Sequence, residues 1–186
     1  MAPNLIISMS VSVDGFINDR EGGFDWSPPS DELFRFHIEK VGELGGYLLG
    51  RRLYEAMLPW ETDPSMRSDE DKDAFADIWC ALPKVVFSRT LEGVEGNARL
   101  AKASVAEEVA EALDATDRDV SIGGAGLIAT AFELGLIDEL RLFRYPVVVG
   151  GGTPLLPAVT EDVALELLET RTFDSRVIFE RYRRAA

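Results

Sequence analysis

Cysteine and histidine are nearly absent from this sequence: Cys80 and His37 are single occurrences in 186 residues. One cysteine cannot build an internal disulfide framework, and it suits a reducing cytoplasm. Zinc sites of the His/Cys type need three or four ligands, which one residue of each kind cannot supply, so no metal site is expected. A Ser-His-Asp system would need His37 beside a serine on a sharp turn, and the sequence has no G-x-S-x-G. G-x-x-x-x-G-K-[ST], the commonest loop of kinases and ATPases, is also missing. Basic residues are scarce too, 19 against 33 acidic ones, for a net charge of −14. That balance argues against non-specific binding to nucleic acid or to an anionic membrane, both of which need a basic surface. No apolar run approaches the length that spans a bilayer. The N-terminal stretch lacks a basic n-region and carries Ser8, Ser10, Ser12 and Asp14, so it reads as a first strand and not as a signal peptide.

What is present is a regular alternation of short strands and helices. "NLIISMSVSVDGFIN" places Ile7, Met9, Val11 and Val13 on one side of a strand and serines on the other. Ser30 is suited to cap a helix over "DELFRFHIEKVGEL", in which Leu33, Phe34, Ile38 and Val41 recur at helical spacing. "GGYLLG", "KVVFS" and "DVSIGG" read as strands, and "RRLYEAML", "SVAEEVAEALDA" and "GLIATAFELG" as helices. "ELRLFRYPVVVG" reads as a long strand interrupted at Pro146 by a bulge or at an edge, and the tail as a hairpin turning at Asp174-Ser175. The acidic segment after Trp60 reads as a solvated loop leading into a helix. His37 falls mid-helix as a partly exposed residue, and Cys80 as inert packing. The expected architecture is a single α/β domain over 1–186, with a mixed, mainly parallel sheet flanked by helices and a C-terminal antiparallel hairpin.

Three segments, each just past a strand, have the makings of an anion site. Gly123, Gly124, Ala125 and Gly126 lead from a strand into a helix, where free N–H groups and the positive end of the dipole converge. This is not G-x-G-x-x-G, and a close-packed turn would use the same glycines. Arg51 and Arg52 fall at a helix N-terminus, where cations oppose the macrodipole unless an anion is bound or the side chains turn away. Ser88, Arg89 and Thr90 leave the end of another strand with one cation and two hydroxyls, a trio suited to a phosphate monoester. Open α/β sheets bind ligands in the crevice at their strand ends, and a long phosphorylated ligand such as NADPH would engage all three segments.

Taken in order, "SVSVDGFI", "GGFDW", "LLGRRLYE", "VVFSRT", "SIGGAGLI" and "DELRLFRYPVVVGGGTPL" resemble the dihydrofolate reductase-like superfamily. Within it, the likeness is to the reductase domain of the riboflavin-biosynthesis deaminase-reductase and its stand-alone relatives. The resemblance covers nearly the whole chain. It implies NADPH as hydride donor, a small heterocyclic substrate (pterin-like or ribosylaminopyrimidine-like) or a carbonyl substrate, and a homodimer. By position it implies that Gly50, Arg51, Arg52 and Leu53 lie along the cofactor phosphates. Ser88 and Arg89 would hold the adenosine 2′-phosphate, Gly123 to Leu127 (with Gly124, Ala125 and Gly126) the pyrophosphate, and Ile17 would lie over the nicotinamide. Asp31, after Trp26 and a Pro-Pro pair, falls on the substrate-site acid of the pattern, where a carboxyl would help route a proton; it equally suits the first turn of a helix. Trp26 and Asp14 belong to the substrate side by the same likeness, Asp14 also reading as a turn residue. Two departures stand out. Leu82 occupies the place of the arginine that holds the folate tail, with Lys84 as the displaced substitute, which argues against folate reduction. The H-x-E and P-C-x-x-C zinc signature of the deaminase half is missing. The competing expectations are a non-catalytic nucleotide-binding or interaction protein that kept the reductase fold, and a structural dimer with "RYPVVVGGG" at its interface.

Overall fold

The computed structural model describes residues 2–185. In chain order its elements are β1 (Leu5–Ser12), α1 (Asp31–Gly42), β2 (Gly46–Gly50), α2 (Arg51–Met57), α3 (Pro59–Thr62), a 3-10 turn (Pro64–Met66), α4 (Glu70–Ala81), β3 (Lys84–Phe87), β4 (Ala98–Leu100), α5 (Val105–Asp114), β5 (Val120–Gly123), α6 (Ala125–Glu133), β6 (Glu139–Tyr145), β7 (Leu165–Thr172) and β8 (Ile178–Arg184). The strands form one sheet in the order β4-β3-β2-β5-β1-β6-β8-β7. The first six run parallel, while β8 pairs antiparallel with β6 and β7 antiparallel with β8. This is the mixed sheet with a terminal hairpin that the sequence predicts.

Local chemistry explains the element ends. Ser30 Oγ accepts from Leu33 N–H to start α1 and donates to Asp174 on the β7–β8 turn (2.7 Å), tying the helix to the hairpin. Ser104 and Glu107 exchange reciprocal hydrogen bonds in a capping box that opens α5. β6 ends at Tyr145, because Pro146 has no N–H to continue the ladder. The expected bulge is therefore a strand end, and β6 is an interior strand between β1 and β8. β4, three residues that pair with β3 at the sheet edge, is a strand beyond those expected from the sequence.

Period-two alternation along the strands divides the core between two faces. Leu5, Ile7, Leu48, Ile122 and Leu140 pack with Val109 of α5 and Leu127, Ile128 and Ala131 of α6. On the other face Ile6, Leu49 and Val86 pack with Leu44, Tyr54, Phe75 and Trp79. An aromatic cluster, Phe36 of α1 against Phe143, Phe173 and Phe179, closes that face over β6 and β8, with ring centroids 5.0–6.1 Å apart. The loop after β1 folds onto the loop after β6: Ile17 N–H donates to Thr153 O, and Phe16 bridges Pro154. Gly152 sits so close to Asn18 that a Cβ there would lie 2.1 Å from the Asn18 carbonyl oxygen. Within the chain, then, "VVVGGG" is a partner of the β1 loop.

Candidate active-site cleft

At the C-terminal ends of β1, β2, β3 and β5 the surface opens into a cleft of about 1790 Å³ that continues beneath α1. Its position, beside the strand around which the chain reverses direction in the sheet, is where open α/β sheets hold ligands. Of the residues predicted from sequence, Ile17, Gly50, Arg51, Arg52, Leu53, Ser88, Arg89, Gly124, Ala125, Gly126 and Leu127 line this one space. Three segments separated by dozens of residues thus meet at one rim.

The three arginines differ in their state. Arg51 is committed: its Nε pairs with Glu55 (2.8 Å) and its Nη1 donates to Thr90 (2.7 Å), clamping α2 to the loop after β3. Arg52 and Arg89 are exposed and have no ion pair among the described residues. A solvated guanidinium held at a cleft rim with no counter-ion is a ready anion contact. Ser88 Oγ accepts from the N–H groups of Thr90 (3.2 Å) and Leu91 (3.0 Å), so it shapes the loop that carries Arg89.

The glycines do three different things. A Cβ on Gly123 would lie 2.3 Å from Leu53 Cδ2 and 3.0 Å from the Tyr47 hydroxyl, so this glycine makes room for neighbours and is no part of the cleft wall. Gly124 has φ +102° and would press a Cβ to 3.1 Å from Gly50 Cα, which fixes the close approach of the β2 and β5 ends. Gly126 alone faces open space, in the first turn of α6, where N–H groups have no intrahelical acceptor.

The expected substrate side is placed differently. Asp31 is an exposed first-turn residue of α1 and no part of the cleft wall, so the structure leaves it the helix-start reading. Asp14 is also exposed. It accepts from Gly150 N–H (2.8 Å) and Val149 N–H (3.2 Å), and the Ser12 hydroxyl, followed by these two groups, holds its carboxyl below the usual range. Its role in the structure is to tie two loops together. Trp26 packs edge-on against Tyr145 (5.9 Å) and is not among the residues of the cleft wall, although Phe24 and Ser27 on either side of it are. Lys84 is buried, paired with Glu61 (2.8 Å) and donating to the carbonyls of Trp79 and Leu82, and cannot reach a ligand in the cleft. Cys80 is half-buried, its thiol pKa raised by burial and then by Glu61, and it donates to Trp60 O.

What the sequence reading missed lies under α1. His37 is half-buried, in keeping with its mid-helix place, and it lines the cleft with its ring centroid 4.3 Å from that of Phe143, where burial lowers its pKa to about 4. Ser8, Ser10, Phe34, Tyr47 and Ser121 line the same depth. A signal for them existed. A parallel strand covered on both faces should be apolar throughout, so serines at alternate positions of a central strand are themselves anomalous.

The parallel sheet with its crossed-over β1, the antiparallel hairpin and a strand-end cleft rimmed by free arginines define a reductase-like protein of dihydrofolate reductase-like fold. The chain belongs to the RibD C-terminal domain family, which matches residues 3–179. Among curated relatives it is 31% identical over 178 residues to the uncharacterised protein YyaP of Bacillus subtilis (strain 168), covering 94% of this chain and 91% of that protein. Among solved structures it superposes on a Shewanella sp. PV-4 protein described as one of riboflavin biosynthesis (TM-score 0.79, 21% identity, 98% of this chain and 99% of that one). It also superposes on the dihydrofolate reductase of Enterococcus faecalis in complex with NADP(H) (TM-score 0.64, 18% identity, 100% and 99%). A bifunctional deaminase/5-amino-6-(5-phosphoribosylamino)uracil reductase from Thermotoga maritima matches with a TM-score of 0.68 and 15% identity. There the likeness covers 99% of this chain but 57% of the other. At these identities the structures establish the fold.

Proposed function

We propose that the protein is an NADPH-dependent reductase that transfers hydride to a small heterocyclic or carbonyl substrate. The observation that carries this reading is the continuity of the cleft, from Arg52 and Arg89, which have no ion pair among the described residues, and the open first turn of α6 to the space beneath α1. The residues fit a phosphorylated dinucleotide. Two guanidinium groups and a helix N-terminus supply positive potential on a protein of net charge −14, where a polyanion would otherwise be repelled. Arg52 and Arg89 hold the 2′-phosphate end and the N–H groups of Ala125, Gly126 and Leu127 the pyrophosphate, while Ile17 covers the nicotinamide. When bound, the cofactor supplies the hydride; the protein orients the substrate, excludes water and admits the proton that the heteroatom of a reduced C=O or C=N bond takes up. Fluorescence or calorimetric titration with NADPH tests the reading, followed by oxidation assays with pterin, ribosylaminopyrimidine and simple carbonyl substrates. The expected result is micromolar binding and turnover; no nicotinamide binding at micromolar concentration overturns it.

One observation favours a second reading, a nucleotide-binding protein without turnover: the acid expected at the substrate site, Asp31, lies outside the cleft. Binding of NADPH with no oxidation by any of these substrates would select it. The reading includes a cytoplasmic homodimer. The eight residues of β7 are exposed along their whole length, with Leu167 at 53% exposure, and form an unpaired sheet edge suited to a second copy. Light scattering on the purified chain tests that assembly.

A further inference from the structure

β6 and β7 run in the same direction, so residues 146–164 carry the chain back along the sheet from one end to the other. The two halves of this crossover are held very differently. The first is bonded to the loop after β1. Val13 N–H donates to Val147 O (2.9 Å), Ile17 N–H to Thr153 O (2.9 Å), Leu155 N–H to Gly15 O (3.0 Å) and Thr153 N–H to Asn18 Oδ1 (2.7 Å). Leu155 is buried in the core beneath α6. The second half has neither helix nor strand, and residues 156–163 make no hydrogen bond among the described residues. Leu156 and Val159 stand exposed on it.

This second half leads onto a sheet face that is left uncovered among the described residues. α5 and α6 pack near the middle of the sheet, over β1, β2 and β5. On the same side, Leu165 and Leu167 of β7, in register with Arg184 and Tyr182 of β8, and Ile178 are bare, with the three aliphatic side chains 37–53% exposed. Charge says what covers them. The chain carries −14 overall, so two copies repel over most of their surface. Residues 165–184 are the exception, with five arginines against four acids. Of the acids on β7 and β8 only Glu180 lies on this face, and it is paired with Arg144 (2.9 Å). At the far end Arg184, Glu161 and Asp162 have no ion pair among the described residues, although the bond from Ala185 N–H to Ala164 O brings both segments together there. A two-fold axis lays such a face on its own copy without opposing unpaired like charges, and offers each Arg184 an acid of the other copy. An anionic partner finds one free cation here, and a basic one is drawn to the acidic remainder.

We propose that this face, with the open half of the crossover, binds a second copy of the chain, and that this assembly is coupled to cofactor binding. The coupling rests on the reductase reading, in which Ile17 covers the nicotinamide. One crossover fixes Ile17 through Thr153 in its first half and meets the second copy through Val159 in its second. Covering the second half restricts the movements open to the first, so the loop over the cofactor is ordered before the cofactor arrives. A bound cofactor that holds the loop after β1 against Thr153 and Leu155 steadies the crossover for the second copy in turn. Linkage makes the two effects equal: if assembly tightens each cofactor about tenfold, filling both sites tightens the dimer about a hundredfold.

Sedimentation velocity over a micromolar concentration series, with and without NADPH, reads assembly of the full chain, and fluorescence titration reads cofactor affinity. The parent should be a dimer that NADPH tightens. Leu167→Glu sets like charges on both sides of the axis, and Val159→Glu does so from a segment with no regular structure to disturb. Both variants should be monomers with the circular dichroism of the parent. They should bind NADPH about tenfold more weakly, although neither residue lines the cleft. Ala110→Glu, the same charge on the exposed side of α5, should change neither quantity. A parent that stays monomeric with and without NADPH gives the face to another partner and overturns the proposal. A dimer that survives both substitutions overturns it too, and monomeric variants with parent-like NADPH affinity overturn the coupling. Failure of the parent to bind NADPH at all overturns the reductase reading, and the coupling with it, while the sedimentation data still decide the surface.

Discussion

Replacing Arg52, Arg89 and Arg51 by alanine, one at a time, separates a cofactor rim from a structural clamp. All three side chains lie on the cleft, but only Arg51 has its charge spent, on Glu55 and Thr90. A hydrogen bond to a charged group is worth about 1.5–3 kcal/mol, which corresponds to roughly 10–150-fold in affinity. Exposure of both free guanidinium groups to solvent at the mouth sets the expectation at the lower end, about tenfold for each of Arg52→Ala and Arg89→Ala. The arginine that holds the 2′-phosphate should lose NADPH affinity and leave NADH affinity as it was. Arg51→Ala removes an i,i+4 pair in which Arg51 is 49% exposed, so it should cost a few tenths of a kcal/mol of stability and leave cofactor affinity near that of the parent. Calorimetric titrations of both nucleotides at low and high salt read all of this, and the arginine effects should shrink as salt rises. Parent-like NADPH affinity in both Arg52→Ala and Arg89→Ala, or an equal loss in Arg51→Ala, would refute the assignment.

Gly126→Glu should move stability and binding in opposite directions: an acid in the first turn of α6 complements the dipole by about 0.3–1 kcal/mol, yet repels a pyrophosphate, so melting temperature rises or holds while NADPH binding collapses. Gly124→Ala should instead lower the melting temperature, because φ +102° is strained for any residue with a Cβ and the new atom would crowd Gly50 Cα at 3.1 Å, and a variant as stable as the parent would contradict the geometry. Lys84→Met strands Glu61 in the core and should cost about 3–5 kcal/mol in urea unfolding; a loss below 1 kcal/mol would show that water reaches the pair. Glu108 is buried, and Arg99 (2.6 Å), then the N–H groups of Lys102 and Ala103, hold its carboxylate below the usual range. A lowered folded-state pKa gives stability that is present above the ordinary glutamate range and lost as pH falls through the folded value. Glu108→Gln should therefore flatten the acid limb of the stability–pH curve, and an unchanged limb would exclude this carboxylate as its source.

The strand–helix order was legible because each buried element carries its own periodicity: Leu5 to Val11 alternate, and Phe34, Ile38 and Val41 recur along α1. β4 was not, because Ala98–Leu100 is a three-residue edge strand whose existence depends on β3 beside it. The rim of the site was legible for a related reason. Arg52, Arg89 and Gly126 each follow a strand end, and parallel strands bring their ends to one edge. The interior of the site was not. Whether His37 faces solvent or the sheet depends on the angle at which α1 lies across β1 and β6, which no local pattern encodes. Asp31 shows the converse: the residues that put it after Trp26 and a Pro-Pro pair are all present, and still its position at the helix start leaves it in solvent.

The glycines after β5 show why such a segment stays ambiguous until its neighbours are known. A glycine is informative only through what occupies the space its missing Cβ leaves. That occupant comes from elsewhere in the chain: Leu53 and Tyr47 for Gly123, the Gly50 backbone for Gly124, and open cleft for Gly126. The tight-turn and anion-site readings of the segment are therefore compatible, one belonging to the first two glycines and the other to the third. The turn is also what serves the cleft. By drawing the end of β5 against the end of β2, Gly124 sets the first turn of α6 beside Arg52, so a defect in packing there would be felt as a loss of anion affinity. A binding defect in a Gly124 variant thus says little about direct contact, whereas one at Gly126, where nothing packs, isolates it.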